Sequence, residues 1–255
     1  MAGDEKRVKV KIDHVEKVYD GRKGRMVALN GVDLDIMENE FICVVGPSGC
    51  GKSTILKLLT GVIQAETGRI TVDGQPVTGL SEHFAYMPQN DLLFPWKTIL
   101  DNVCLYGQIH GSMEEMRREA SKNFPAFGLE GYETKYPSSL SGGMRQRAAF
   151  LRTALCKADI LLLDEPFGAL DVITRGDMQD WLISMRARLN RTVLLVTHDM
   201  DEALYLSDRI LILNQAPAHI TCEIEIPDRV RNRDWLYNQG ALRQKIHSEI
   251  MTGRV

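Results

Sequence analysis

The sequence predicts an α/β fold in which a mostly parallel sheet is covered by helices on both faces. The first observation is a set of three continuous apolar runs, each of which follows a helical pattern. These runs occupy residues 160–163, 193–196 and 210–213. The second observation is an earlier apolar run at residues 41–45, which leads through a glycine-rich loop into another helical pattern. Continuous apolar runs are typical of strands that meet no water on either face.

The N-terminal part of the chain predicts an antiparallel β subdomain. Apolar residues alternate with charged ones over residues 8–13 and 32–36, which is the period of a strand with one face in water. Ile70 and Val72 predict a further strand that ends at Asp73-Gly74, a typical hairpin turn. We therefore expect antiparallel pairing in this region before the parallel core begins.

A helical subdomain is predicted at about residues 91–158, inserted into the core. Helical patterns occupy residues 112–124 and 142–156 without a strong strand pattern. The α/β domain would then span residues 1–225, and residues 226–255 would form a short tail. The tail carries a loose helical stripe made of Trp235, Leu242, Ile246 and Ile250.

The loop after the first buried strand fits the phosphate-binding pattern G-x-x-x-x-G-K-[ST]. Its glycines let backbone N–H groups turn inward, and the following helix N-terminus adds positive partial charge. Lys52 is expected to reach the β- and γ-phosphates, and the Ser53 hydroxyl to bind Mg²⁺. The residues expected to hold the nucleotide here are Gly46, Pro47, Ser48, Gly49, Cys50, Gly51, Lys52, Ser53 and Thr54. Because a helix N-terminus favours a thiolate, we also expect Cys50 to be reactive.

Two carboxylates follow the apolar run at residues 160–163. In phosphate-loop NTPases the first such residue, here Asp164, holds the Mg²⁺ shell. The second, Glu165, can accept the proton of an attacking water. The alternative is that Asp164 is the N-cap of a helix that opens with Glu165 as a surface residue, which the following Pro166 favours.

A second glycine segment at residues 140–144 precedes a helical pattern. Ser141, Gly142 and Gly143 could form a second anion site at the helix N-terminus. Taken alone, the segment is more typical of an ordinary serine N-cap followed by permissive glycines.

Together these motifs resemble the ATP-binding subunits of ATP-binding-cassette (ABC) transporters, over about residues 6–225. The matching elements occur in family order. They are the phosphate loop, Gln89 in Tyr-Met-Pro-Gln-Asn, the signature at residues 140–144, Asp164-Glu165, Ala169-Leu170-Asp171 and His198 in Val-Thr-His-Asp. The resemblance implies a RecA-like phosphate-loop NTPase core with the N-terminal antiparallel β subdomain and the inserted helical subdomain.

The resemblance further implies a head-to-tail dimer that binds ATP with Mg²⁺ between two copies. Each ATP would lie between the phosphate loop of one copy and the Ser141 segment of the other. Lys52 and Glu165 would be catalytic, with Glu165 as general base. Gln89 would contact Mg²⁺ and the water, and His198 would hold the γ-phosphate. Asp171, in the family's D-loop, would join the nucleotide contacts.

Tyr19 matches the aromatic residue that stacks on adenine in the family. The alternative is an ordinary tyrosine near a strand end.

Two stretches, residues 91–96 and 165–171, are similar to the nitrate, sulfonate and taurine group of importers, which includes uptake of thiamine-precursor pyrimidines. Two residues depart from the broader family pattern. Met144 lies in the signature, and Gly168 lies in the second of these stretches. The implied partners are two transmembrane permease subunits and, indirectly, a solute-binding protein, with the chain peripheral on the cytoplasmic face of the cell membrane. The alternatives are a soluble ABC-type ATPase not tied to transport, and an exporter ATPase.

An apolar cluster follows Gln89 in the importer-like stretch. Its members are Leu92, Leu93, Phe94 and Trp96. They could receive a short helix of the permease, or they could belong to the core of the helical subdomain.

The amino-acid composition of the chain argues against several classes of function. The chain has 255 residues, a net charge of −3, 44% hydrophobic and 25% charged residues, which is typical of a globular protein and argues against nucleic acid as a main partner. It has no apolar run of ~20 residues for a membrane span and no apolar signal-peptide region after its charged N-terminus. Its five cysteines are scattered, which predicts reduced thiols and neither a disulfide framework nor a zinc site.

Overall fold

The structure is a computed structural model that describes residues 7–21, 24–189, 191–227 and 231–252. The chain divides into two compact units. The first unit contains Met1–Phe84 and Asn190–Val255, and the second contains Ala85–Leu189. The finer division predicted from the sequence, with a domain over residues 1–225 and a separate tail, stays a prediction.

Strands and helices alternate along much of the chain. The strands are β1 (Val8–Gly21), β2 (Gly24–Met37), β3 (Phe41–Val45), β4 (Thr67–Val72), β5 (Gln75–Pro76), β6 (Phe84–Met87), β7 (Ile160–Asp164), β8 (Thr192–Val196), β9 (Arg209–Leu213) and β10 (Ile220–Glu225). The α-helices are α1 (Lys52–Leu59), α2 (Ile99–Val103), α3 (Leu105–Ile109), α4 (Met113–Asn123), α5 (Gly142–Ala154), α6 (Val172–Leu189), α7 (Met200–Leu206), α8 (Arg233–Tyr237) and α9 (Gly240–Thr252). Short 3₁₀ turns lie at Pro125–Phe127 and Pro137–Ser139.

An antiparallel sheet forms the N-terminal part of the first unit, as the alternating pattern predicts. Its strand order is β2-β1-β4-β5, and Val10 of β1 pairs with Ile36 on one side and Val72 on the other. Asp73 and Gly74 join β4 to β5 with φ angles of 50° and 77°. Both values lie in the left-handed region that tight hairpin turns require.

The other sheet strands of the first unit have the order β10-β9-β3-β8. β3 is parallel to both β8 and β9, and every residue of β3 and β8 is buried. This burial explains their continuous apolar sequences. β10 is an antiparallel edge strand on β9. The sequence does not predict it, because its mixed polar residues form no continuous apolar run.

The second unit contains β7 and a group of helices. Residues 91–158, all of which the structure describes, contain helices and turns and no strand, as expected. Its core includes edge-to-face aromatic contacts, in which Phe150 meets Phe127, Phe167 and Trp181 with ring centroids 5.6–5.9 Å apart.

The C-terminal segment is helical, as its apolar stripe suggested. Ile246 of α9 is fully buried, whereas Trp235, Leu242 and Ile250 are half-buried. Leu236, outside the predicted stripe, is also buried. None of the described helices has both the length and the apolar character that crossing a bilayer would demand.

Candidate nucleotide site

The phosphate loop lies between β3 and α1 in the first unit, in the strand–loop–helix order that the motif needs. Gly49 and Gly51 have φ angles of 78° and 110°, a region that side chains with a Cβ rarely adopt. At Gly46 a Cβ would lie 2.7 Å from the carbonyl oxygen of Leu213. The backbone path of the loop therefore depends on glycine at these positions.

Positive charge converges on this loop. α1 begins at Lys52, and its N-cap residue is Gly51, which has no side chain with which to cap the helix, so the positive end of the helix faces the loop. The Lys52 ammonium is buried and donates to the carbonyl oxygens of Gly46 and Pro47 at 2.9 and 2.8 Å. An ammonium inside a glycine loop at a helix N-terminus is suited to a phosphate group.

The expectation of a reactive Cys50 thiolate is wrong. Its side chain is fully buried, and burial raises the pKa of Cys50 more than the nearby Lys52 ammonium lowers it. The helix terminus that suggested a thiolate is present, but the loop packs the sulfur away from water, which disfavours the charged form.

Tyr19 lies beside the loop in the same unit. It is half-buried near the end of β1, and its hydroxyl is 3.4 Å from Oγ1 of Thr54, in the first turn of α1. The Lys17 ammonium is 5.6 Å from the centroid of its ring. The contact with Thr54 places the ring close to the phosphate loop.

His198 is exposed and lies between β8 and α7. Since β8 is parallel to β3 and pairs with it directly, the turn carrying His198 and the phosphate loop leave the same edge of the sheet. Ligands bind at this carboxyl edge in open α/β sheets.

The second unit holds the carboxylate pair. Asp164, the last residue of β7, is 4% exposed and accepts a hydrogen bond of 3.3 Å from the Tyr86 hydroxyl. Burial and the nearby Asp164 charge raise the pKa of Tyr86, so Tyr86 remains a neutral donor. Tyr86 belongs to the Gln89 motif in sequence, and no role for it was predicted.

Glu165 and Gln89 are brought together. The Gln89 amide nitrogen donates to Oε2 of Glu165 at 3.0 Å. Glu165 has a φ of 48°, a left-handed conformation that is uncommon for a residue other than glycine and that occurs preferentially at functional sites. The alternative, in which Asp164 caps a helix opened by Glu165, is wrong, because residues 165–170 form turns and bends and α6 begins only at Val172.

The signature segment starts α5, also in the second unit. Ser141 accepts a hydrogen bond of 3.3 Å from the backbone N–H of Met144, so it is an N-cap, while Ser141 and Gly142 remain exposed. Gln146 of α5 donates to the carbonyl oxygen of Pro166 at 3.3 Å. This bond joins the signature helix to the turn that follows Glu165.

Asp171 caps α6. Its carboxylate accepts from the backbone N–H groups of Ile173 and Thr174, both at 3.1 Å, and the bonds to Thr174 in particular hold the pKa of Asp171 below its usual range. The adjacent Val172 and Ile173 side chains are 84% and 78% exposed. An exposed apolar pair therefore stands next to this carboxylate.

The members of the apolar cluster after Gln89 lie in two different environments, one buried and one exposed. Leu93 is buried, whereas Leu92 and Trp96 are 61% and 71% exposed. Phe94 is half-buried and packs against Trp96 with ring centroids 5.2 Å apart. Leu93 thus belongs to the core, and the remaining members form an outward-facing patch.

Two arginines of α5, neither assigned a role from the sequence, hold this segment in place. Arg145 pairs with the Asp91 carboxylate at 3.0 Å. Arg152 donates to the carbonyl oxygens of Asp91 and Leu92 at 2.7 and 2.8 Å. Their spacing of seven residues along a helix, which puts them near one face, was the available signal.

Comparisons with known proteins identify the family of the chain. Residues 29–168 match the family model described as ABC transporter. The chain is 46% identical over 199 residues to the formylaminopyrimidine import ATP-binding protein ThiZ of Halalkalibacterium halodurans, covering 78% of each chain. It is 41% identical over 227 residues to the nitrate import ATP-binding protein NrtD of Synechococcus elongatus, covering 87% of this chain and 83% of that protein.

A solved structure is similar in fold. The ATP-binding cassette MJ0796, described as a dimer in a post-hydrolysis state with ADP and Pi bound, has a TM-score of 0.77 and 28% sequence identity, covering 86% of this chain and 99% of its own. The motif order, the family match and the shared fold lead to one assignment. The chain belongs to the ABC transporter family and is one of its ATP-binding cassettes.

Proposed function

We propose that the chain hydrolyses ATP to energise a bacterial importer of a small solute. The observation that carries the catalytic part is the Glu165 carboxylate, held by Gln89 at the turn after β7 and directly following the buried Asp164. The importer part rests on relatives named as nitrate and formylaminopyrimidine import proteins. The solute would be of the nitrate, sulfonate, taurine or pyrimidine-precursor type.

In this proposal Glu165 accepts the proton of the water that attacks the γ-phosphate. The bond from Gln89 orients the carboxylate without removing its charge, and Lys52 with the N-terminus of α1 stabilises the negative charge of the phosphates. Most of the catalysis is then positioning and charge stabilisation. His198 completes the proposed set by holding the γ-phosphate.

The donor set proposed for Mg²⁺ fits that ion. It consists of the Asp164 carboxylate, the Ser53 hydroxyl and the amide oxygen of Gln89, all hard oxygen ligands. The Gln89 amide nitrogen is bonded to Glu165, so its oxygen is the atom suited to a cation. Bound Mg²⁺ would supply charge neutralisation at the β- and γ-phosphates.

A second copy of the chain completes the site in our proposal. Ser141 and Gly142 are exposed at the start of α5, and Val172 and Ile173 are exposed beside Asp171. Exposed apolar side chains next to polar groups are typical of interaction surfaces. The similar cassette MJ0796, described as a dimer, supports the pairing of two copies.

The patch formed by Leu92, Phe94 and Trp96 is the proposed contact with the permease. A short amphipathic helix can bury exposed apolar side chains of this kind. Binding two permease subunits would place the chain peripherally at the cytoplasmic face of the membrane. The solute-binding protein would act only through the permease.

Co-purification of the chain with a membrane permease tests the importer assignment. We expect the tagged chain to purify from mildly solubilised host membranes with a polytopic permease, and Trp96→Glu to lose that permease while still binding ATP. Tyr237→Glu, at a tyrosine of the first unit that is 74% exposed, is the matched control and should keep it. If the wild type hydrolyses ATP and associates with no permease, the alternative of a soluble ABC-type ATPase is favoured.

Tyr19→Ala should weaken ATP binding by about 1–3 kcal/mol, the range for base–aromatic stacking, with little change in the rate at saturating ATP. Equilibrium binding and steady-state kinetics measure the two effects. Tyr19→Phe is the control, because it keeps the ring and removes only the hydroxyl contact with Thr54. Unchanged affinity in Tyr19→Ala would leave Tyr19 with a structural role only.

A further inference from the structure

We propose that the C-terminal segment, residues 231–252, is a brace that fixes α7 and thereby positions His198, an inference that rests on the proposed role of His198 at the γ-phosphate. The segment and α7 both belong to the first unit. Three arginines of the segment contact α7 or the residue that caps it, and together they reach both of its ends.

His198 is tied to the first turn of α7 on both sides in sequence. Before it, the Thr197 hydroxyl donates to Glu202 at 2.6 Å. After it, the Asp199 carboxylate accepts from the backbone N–H groups of Asp201 and Glu202 at 2.8 and 3.2 Å. Because the residues on either side are bonded to the helix, a displacement of α7 moves His198 with it.

Arg243 of α9 binds the N-terminal turn of α7. Its guanidinium donates to the Asp201 carboxylate and also to the carbonyl oxygen of Leu236, at 2.7 Å, at the end of α8. The Arg243 side chain is 25% exposed, so the ion pair is partly shielded from water. One side chain thus connects α7, α8 and α9.

Arg231 holds the opposite end of α7. Its side chain is 7% exposed, and it donates to the carbonyl oxygens of Leu204, Tyr205 and Ser207. These belong to the last turn and cap, where carbonyls lack partners within the helix and favour a cation. Arg233 adds a cation–π contact, 4.1 Å from the centroid of the Tyr205 ring.

α7 needs such support because a helix of seven residues is far too short to be stable by itself. Contacts at both ends limit its rotation and tilt, and the fully buried Ile246 anchors α9 in the same unit. A displaced His198 would weaken contact with a γ-phosphate, which ATP has and ADP lacks. The brace therefore predicts a change in the preference for ATP over ADP and not a uniform loss of nucleotide binding.

The experiment uses the full chain with Arg243→Gln, Asp201→Asn and the double variant. Lys245→Gln, at an exposed lysine on α9, is the matched control. We expect faster amide exchange over residues 200–206 and a two- to fivefold lower ratio of ATP to ADP affinity, roughly the effect of a partly exposed ion pair. The double variant should be no worse than the single ones, since both remove the same contact.

Unchanged exchange over residues 200–206 in both single variants would overturn the brace, and so would additive effects in the double variant. The same comparison in a His198→Ala background separates the two proposals. Arg243→Gln should lower the affinity ratio no further there, and a further loss would show that Arg243 does not act through His198. If His198→Ala leaves the ratio unchanged, the proposed role of His198 fails, while faster exchange in α7 would still support the brace.

Discussion

Glu165→Gln should bind MgATP and turn it over about 10²–10⁴-fold more slowly than the wild type, because an amide cannot accept the proton of the attacking water. The change is nearly isosteric, and a glutamine oxygen can still accept the bond that Gln89 donates to Oε2 at 3.0 Å. The turn after β7 should therefore keep its conformation. Single-turnover hydrolysis and equilibrium ATP binding measure the two effects separately.

The variant should also accumulate ATP-bound dimers, since hydrolysis no longer reopens the closed state. Gln89→Ala is an informative companion, because it removes the bond to Glu165 together with a proposed Mg²⁺ ligand and keeps the carboxylate. Its loss of turnover should be smaller if Glu165 is the base and Gln89 orients it. Near-normal turnover in Glu165→Gln would remove Glu165 from the role of general base.

The strands of the core could be predicted from the sequence, because burial on both faces requires apolar residues at consecutive positions. β3, β7 and β8 are buried along their whole length, so each appears as a continuous apolar run. The phosphate loop was predictable for a related reason, since its backbone conformation requires glycine at fixed spacing. In these regions a physical constraint acts on consecutive residues.

The contacts around the site could not be predicted in the same way. The pair of Arg145 with Asp91 joins residues 54 positions apart, and the bond from Tyr86 to Asp164 joins residues 78 positions apart. No local pattern records which side chains meet after folding. Cys50 is the instructive error, because burial of the side chain raises the pKa of its thiol more than the Lys52 charge and the neighbouring backbone N–H groups lower it.

The second prediction with a large expected effect concerns which copy of the dimer supplies Lys52 and which supplies Ser141 to each ATP. The proposed dimer pairs the phosphate loop of one copy with Ser141 of the other. Lys52→Ala homodimers should then have two inactive sites, and so should Ser141→Arg homodimers. A mixed dimer differs from both homodimers. One of its sites contains both substitutions, while the other combines an unaltered phosphate loop with an unaltered signature segment.

Counting trapped ATP makes this difference measurable. With Glu165→Gln added to both partners and the permease present, we expect up to one occluded ATP per mixed dimer and none in either homodimer. The exposed position of Ser141 at the start of α5 limits the folding cost of Ser141→Arg to about that of a lost helix cap, ~1 kcal/mol, and thermal unfolding of the variant checks it.

Differential tags on the two variants identify the mixed dimers, and self-mixed Lys52→Ala is the control. If Lys52 and Ser141 acted on the same ATP within one copy, each copy of the mixed dimer would carry a lesion in its own site, and no occlusion would return. Verified mixed dimers without trapped ATP would therefore contradict the head-to-tail arrangement. Recovery of one site would instead require that the signature of each copy acts on the ATP held by the phosphate loop of its partner.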